Sequence, residues 1–70
     1  MPKYFFDVHH GSRVFEDREG QVCADLDAAR AMAHDIASDL RKDPELSGAQ
    51  LHARDESDNE VLRLGLDTLH

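Results

Sequence analysis

The sequence predicts an α+β fold in which a four-stranded, mainly antiparallel sheet carries one helix on one face, in the order ββ-α-ββ. A stretch of helical periodicity from Leu26 to Leu40 indicates the helix. Two hairpin-like segments flank it, residues 4–8 with 13–15 and residues 50–54 with 61–66. Consecutive strands joined by short turns pair antiparallel, which predicts the antiparallel sheet. A length of 70 residues predicts a single small domain spanning residues 1–70.

The first strand has a composition typical of a β-strand. Residues 4–8 are aromatic or β-branched apart from Asp7. Alternation divides the strand into one face with Tyr4, Phe6 and Val8 and a second face with Phe5, Asp7 and His9. The first face is therefore the predicted core face, and Phe5 is the main apolar residue of the reverse face.

The turn of the first hairpin contains Gly11, which accepts a positive φ without steric cost. The pairing of the two strands stays open. A two-residue loop would pair Phe6 with Phe15, and a three-residue loop would pair Phe6 with Val14. The polar residues 16–20 then predict a turn or bulge, and Gln21–Cys23 a short extended segment before the helix.

The helix has clear start and stop signals. Asp25 is the predicted N-cap, and Asp27 adds a favourable charge in the first turn. Arg41 and Lys42 suit the C-terminal end of the dipole, and Asp43–Pro44 ends the helix. The apolar stripe consists of Ala29, Met32, Ala33, Ile36, Ala37 and Leu40. Its three alanines predict that the helix approaches the sheet closely.

The second hairpin also alternates. Its core face is predicted to hold Ala49, Leu51, Ala53, Leu62, Leu64 and Leu66. Val61 lies out of phase with this face, and the polar residues 55–59 predict the connecting turn.

The charge balance limits the classes of partner. The chain has 15 Asp and Glu against 8 Lys and Arg, a net charge of -7, which argues against a nucleic-acid partner because phosphate binding depends on basic side chains. Cys23 is the only cysteine, so an intramolecular disulfide is excluded and a free thiol is expected. The longest unbroken apolar run is three residues, so we expect no membrane association and a cytoplasmic location.

No residue pattern predicts a reaction, a cofactor or a metal site. The five histidines are His9, His10, His34, His52 and His70, and their spacing argues against a shared site. The acidic residues 16–19 and 55–60 lack the glycine and glutamate of a calcium-binding loop, so turn chemistry explains them better. No nucleophile motif or phosphate-binding glycine loop occurs, and we therefore expect a protein that is not an enzyme.

Four blocks of the chain carry a resemblance to a known family, namely residues 1–8, 16–20, 25–30 and 55–62. The opening aromatic block Tyr4–Phe6 and the helix start Asp25–Arg30 are the most specific of them. Together the blocks resemble a small bacterial family, domain-of-unknown-function family 6894. The resemblance implies a free-standing small cytoplasmic domain without an assigned activity, so it transfers no functional residue.

The predicted architecture leaves one sheet face without a cover, because one helix covers only one face. Phe5 lies on that face, and Phe15 and Val61 are its candidate neighbours in an interaction face. A chain of 70 residues has a thin core, which favours self-association. We therefore expect a non-catalytic interaction module, as a homodimer or with an unknown protein partner. The alternative is a small-ligand or divalent-cation binder that uses the acidic turns and the histidines.

Overall fold

The computed structural model describes residues 2–66 and contains one α-helix and five strands. The elements in chain order are β1 (Lys3–His10), β2 (Arg13–Phe15), β3 (Gln21–Val22), α1 (Leu26–Leu40), β4 (Gln50–Asp55) and β5 (Glu60–Gly65), with a short 3-10 turn at Pro44–Leu46 before β4. This arrangement confirms the α+β prediction and the order of hairpin, helix and hairpin. His70 lies outside the described residues.

All five strands belong to one antiparallel sheet in the order β2-β1-β4-β5, so that β1 and β4 are central. The fifth strand, β3, was predicted only as an extended segment before the helix. It pairs with the beginning of β1, where Val22 lies opposite Lys3. Because β4 occupies the other side of β1, β2 and β3 share one edge and form an edge strand that residues 16–20 interrupt.

The first hairpin has a pairing that neither predicted register describes. Val8 lies opposite Phe15, and His10 lies opposite Arg13. The loop has two residues, as one alternative assumed, but the turn comes one residue later, with Gly11 at its first position and a φ of 63°. The strand extends through His10 because β4 pairs with β1 as far as His9, which keeps this part of the chain extended.

The ends of α1 follow the predicted signals. The side chain of Asp25 accepts a hydrogen bond of 2.8 Å from the backbone N–H of Ala28, which confirms the N-cap. At the other end, the backbone N–H of Arg41 donates to the carbonyl of Ala37 at 2.9 Å. Asp43 does more than stop the helix, because its carboxylate accepts from the backbone N–H of Glu45 and starts the 3-10 turn.

Small residues form the centre of the core. Ala29, Ala33 and Ala37 are at most 1% exposed, and they belong to one cluster with Ala53 of β4 and with Ala49, which directly precedes that strand. The other buried apolar members are Tyr4, Phe6, Cys23, Leu51 and Leu66. The burial of these alanines against the sheet agrees with the close approach that the stripe predicts. The helix packs mainly against β4 and β5.

The alanine contact gives a first prediction. We expect Ala33→Leu to lower the free energy of unfolding by about 1–3 kcal/mol, because the added carbon atoms must enter a position that is already full. The matched control is Ala31→Leu on the exposed side of α1, which should change stability by less than about 0.5 kcal/mol. Urea denaturation of both variants measures the difference. Equal effects would mean that the helix is packed loosely.

Candidate functional site

The three residues predicted as an interaction face do not share a face. Phe5 lies on the reverse side of β1, as predicted. Phe15 lies opposite Val8 and therefore points to the helix side of the sheet. Val61 packs against the core cluster, next to a bulge where β5 pairs irregularly with β4. The predicted continuous patch on the reverse face is therefore absent, because the three side chains lie in different environments. The interaction role of each residue stays a prediction.

An apolar cleft lies beside Phe15 on the helix side of the sheet. Its lining consists of Val8, Phe15, Leu40 and Leu46, and its volume is about 290 Å³. The cleft exists because α1 packs mainly on β4 and β5 and leaves the β2 side of the sheet less covered. Phe15 remains 52% exposed although it lies beside three other apolar side chains.

The reverse face is organised by Arg54 of β4 rather than by an apolar contact. Arg54 lies opposite Phe5, and its guanidinium carbon is 4.5 Å from the centre of the phenyl ring. Its Nε donates a 2.7 Å hydrogen bond to Asp7, whose side chain is only 8% exposed. This hydrogen bond raises the pKa of Arg54, because the nearby carboxylate stabilises the charged form.

The same guanidinium reaches both acidic turns. One terminal nitrogen donates to the carboxylate of Asp58 at 3.1 Å, and the other donates to the backbone carbonyl of Asp17 at 3.1 Å. The backbone N–H of Asp17 in turn donates to Asp7 at 2.8 Å. A single cation thus connects β1, β4 and the two turns, and residues 16–20 partly cover the face that the sequence left open.

The side chain of Asp17 supplies a hydrogen-bond acceptor to β1 where the edge strand is interrupted. Its carboxylate accepts hydrogen bonds from the backbone N–H groups of Phe6, Glu19 and Gly20, at 3.0–3.2 Å. The N–H of Phe6 lies between the pairings of β2 and β3, where no strand is opposite it. Burial raises the pKa of Asp17, but these three hydrogen bonds and the positive charge of Arg54 together outweigh it and leave the pKa below its ordinary value.

Asp55 has a similar role in the second acidic turn. Its carboxylate accepts from the backbone N–H groups of Ser57 and Asn59, at 2.9 and 3.0 Å. Asp58 adopts a φ of 70° within this turn, a conformation that aspartate tolerates better than most residues. These contacts agree with the prediction that turn chemistry explains residues 55–60.

Two histidines come together that the sequence analysis treated as separate. His9 and His52 are stacked across β1 and β4, with ring centres 3.8 Å apart. The residue spacing does not reveal this contact, because it depends on which strands become neighbours. Within residues 2–66, no three His, Cys, Asp or Glu side chains are grouped so that they could hold a metal ion. Cys23 is a buried free cysteine, as predicted for the thiol.

Both edges of the sheet are poorly suited to pairing with another strand. On one side, β2 and β3 have only three and two residues, and Asp17 occupies the gap between them. On the other side, Arg41 donates a 2.9 Å hydrogen bond to the carbonyl of Gly65 in β5. The bulge near the beginning of β5 further disturbs that edge. The apolar cleft is therefore the better candidate for a contact surface.

The chain matches the family described as "Domain of unknown function (DUF6894)" over residues 3–67, and it belongs to this family. No curated protein matches the chain, and no solved structure matches it. Among residues 2–66 there is no helix long and apolar enough to span a membrane.

The Arg54 cluster gives a second prediction. Arg54→Met keeps a long side chain over Phe5 but leaves Asp7 buried without its cation. We expect a loss of about 2–3 kcal/mol in the free energy of unfolding, less than for a fully buried pair because the Arg54 side chain is 22% exposed. The control Arg63→Met breaks an exposed pair with Glu60 and should cost less than about 1 kcal/mol. If both variants lose equal stability in urea, the cluster has no special role.

A third prediction concerns Gly20, which has a φ of 73° and lies against the Phe5 ring. A Cβ atom there would lie 2.9 Å from Phe5 Cε1, and the ring cannot retreat easily because Arg54 lies over it. The control Gly11→Ala has a similar φ of 63° and nothing within 4 Å of the new atom. We expect Gly20→Ala to be less stable than Gly11→Ala by about 1–3 kcal/mol in thermal or urea unfolding. Equal losses would show that only backbone strain matters.

Proposed function

We propose that this protein is a non-catalytic protein-interaction or self-association module, and that its contact surface is the apolar cleft beside β2. The observation that carries the proposal is Phe15, an aromatic side chain that is 52% exposed while it lines a cleft with Val8, Leu40 and Leu46. Burying an exposed aromatic side chain completely contributes about 1.5–3 kcal/mol. Aromatic residues in well-packed pockets are also common anchors of protein interfaces.

The chemistry of the cleft favours an apolar side chain as its occupant. The lining residues are all apolar, whereas small-molecule sites combine an apolar wall with a few polar groups that fix the orientation of the ligand. The volume of about 290 Å³ suits one or two side chains. The alternative, a small-ligand or divalent-cation binder, has less support because the carboxylates of Asp17 and Asp55 serve the backbone of their own turns.

The thin core supports self-association in particular. Five of the ten buried apolar residues are alanines, which contribute little buried area each. A second copy that inserted Phe15 into the cleft of its partner would enlarge the apolar interior of both. The net charge of -7 per chain opposes such a contact, so it should strengthen as salt screens the repulsion. A basic protein partner would show the opposite dependence on salt.

The fourth prediction tests this surface with a matched pair of variants. Phe15→Glu places a charge at the cleft, and Val14→Glu places the same charge on the next residue of β2, whose side chain is 55% exposed and points to the reverse face. We expect the wild-type chain to associate as its concentration rises, more strongly at higher salt. Phe15→Glu should abolish the association and Val14→Glu should preserve it. Sedimentation velocity at two salt concentrations measures both effects.

The possible results separate the alternatives. A wild-type chain that stays monomeric at every concentration and salt level would contradict self-association. A dimer weakened equally by both variants would indicate a contact through the β2 edge rather than through the cleft. A dimer that neither variant weakens would exclude both the cleft and the β2 edge as the contact surface.

A further inference from the structure

The stacked pair of His9 and His52 lies apart from the cleft, on the reverse face of the sheet. The two rings are 3.8 Å apart at their centres and 19° from parallel. They connect β1 to β4, the two central strands, which pair from Tyr4 to His9. Imidazole is the side chain whose charge changes most readily near neutral pH, so a stack of two imidazoles is sensitive to proton uptake.

Two oxygen atoms near the ring nitrogens of His52 can stabilise one proton on the stacked pair. Its Nδ1 lies 3.0 Å from a carboxylate oxygen of Glu60, and its Nε2 lies 3.1 Å from the side-chain oxygen of Gln50. In the charged form of His52, both ring nitrogens would donate to these oxygens. A second proton on His9 would place two positive rings in direct contact, and like charges at this distance repel strongly.

We propose that the His9–His52 stack is an acid-sensitive clasp between β1 and β4, closed while the pair carries at most one proton and opened when both rings are protonated. The inference does not depend on the proposed function. The groups beside the stack are Asp7 of β1, Gln50 of β4, Val14 of the neighbouring β2, and Glu60 and Arg63 of the neighbouring β5.

The balance of these groups agrees with the clasp. Burial lowers the pKa of His52, and the neighbouring His9 and Arg63 lower it further, while Glu60 and Asp7 act in the opposite direction and only partly compensate. The pKa in the folded protein is therefore below the ordinary value of 6.5. As the pH falls below that value, the unfolded chain takes up the proton more readily. The contribution of His52 to the stability of the fold is complete above pH 6.5 and is lost as the pH falls through the pKa of His52 in the folded protein.

The fifth prediction is tested by NMR titration of the histidine rings between about pH 8 and pH 5. In the wild-type protein, contacts between the His9 and His52 rings in nuclear Overhauser spectra should disappear as the second ring becomes protonated. His9→Asn should raise the pKa of His52, because one of the groups that disfavour its charge is removed. The control His34→Asn, on the exposed side of α1, should leave that pKa unchanged.

Any of three results would overturn the proposal. The first is a His52 pKa that is the same in the wild-type protein and in His9→Asn. The second is a ring-to-ring contact that persists after both rings are protonated, a measurement that needs no variant. Urea denaturation adds an independent readout, since the wild-type protein should lose more stability between neutral and mildly acidic pH than His9→Asn loses. Equal losses would also contradict the clasp.

Discussion

The ion pair between Arg54 and Asp7 is the interaction on which the reverse side of this fold depends. A carboxylate that is 8% exposed needs a partner, and Arg54 supplies one while its planar group covers Phe5. The remaining nitrogens of the guanidinium hold Asp58 and the backbone of Asp17. Because the two acidic turns are far apart in the sequence, this one side chain links segments that are otherwise joined only through the sheet. The reverse face is thus covered by polar contacts, whereas α1 covers the opposite face of the sheet.

The two faces of the sheet solve the problem of a small core in different ways. On the helix side, alanines on α1 and β4 allow a close approach, so little volume is needed to fill the space. On the reverse side, hydrogen bonds and charge pairs replace apolar burial. The helix of 15 residues packs mainly on β4 and β5, and the sheet extends further towards β2. The cleft beside Phe15 is the direct consequence of a sheet that is wider than the helix that covers it.

Features that depend on local sequence were predictable, and features that depend on distant strands were not. The Asp25 cap and the alanine stripe follow from the positions of residues along a helix. The face occupied by Phe15 depends on the register of the first hairpin. A three-residue loop would have placed Phe15 beside Phe5, whereas the observed two-residue loop places it beside Val8. The pairing of β1 with β4 decides that His9 meets His52, and no spacing within the chain encodes that contact.

Polar residues also distinguish the two sheet edges and the Phe5 ring of the reverse face from the cleft. Asp17 closes the gap in one edge, Arg41 occupies a carbonyl on the other edge, and Arg54 covers the aromatic ring of the reverse face. At the two edges, these side chains occupy backbone groups with which a strand of another chain would pair. On the reverse face, Arg54 covers the ring that another chain would contact. The lining of the cleft is apolar. A partner would lose no hydrogen bonds by burying this lining, so the free energy of contact there is dominated by the hydrophobic term.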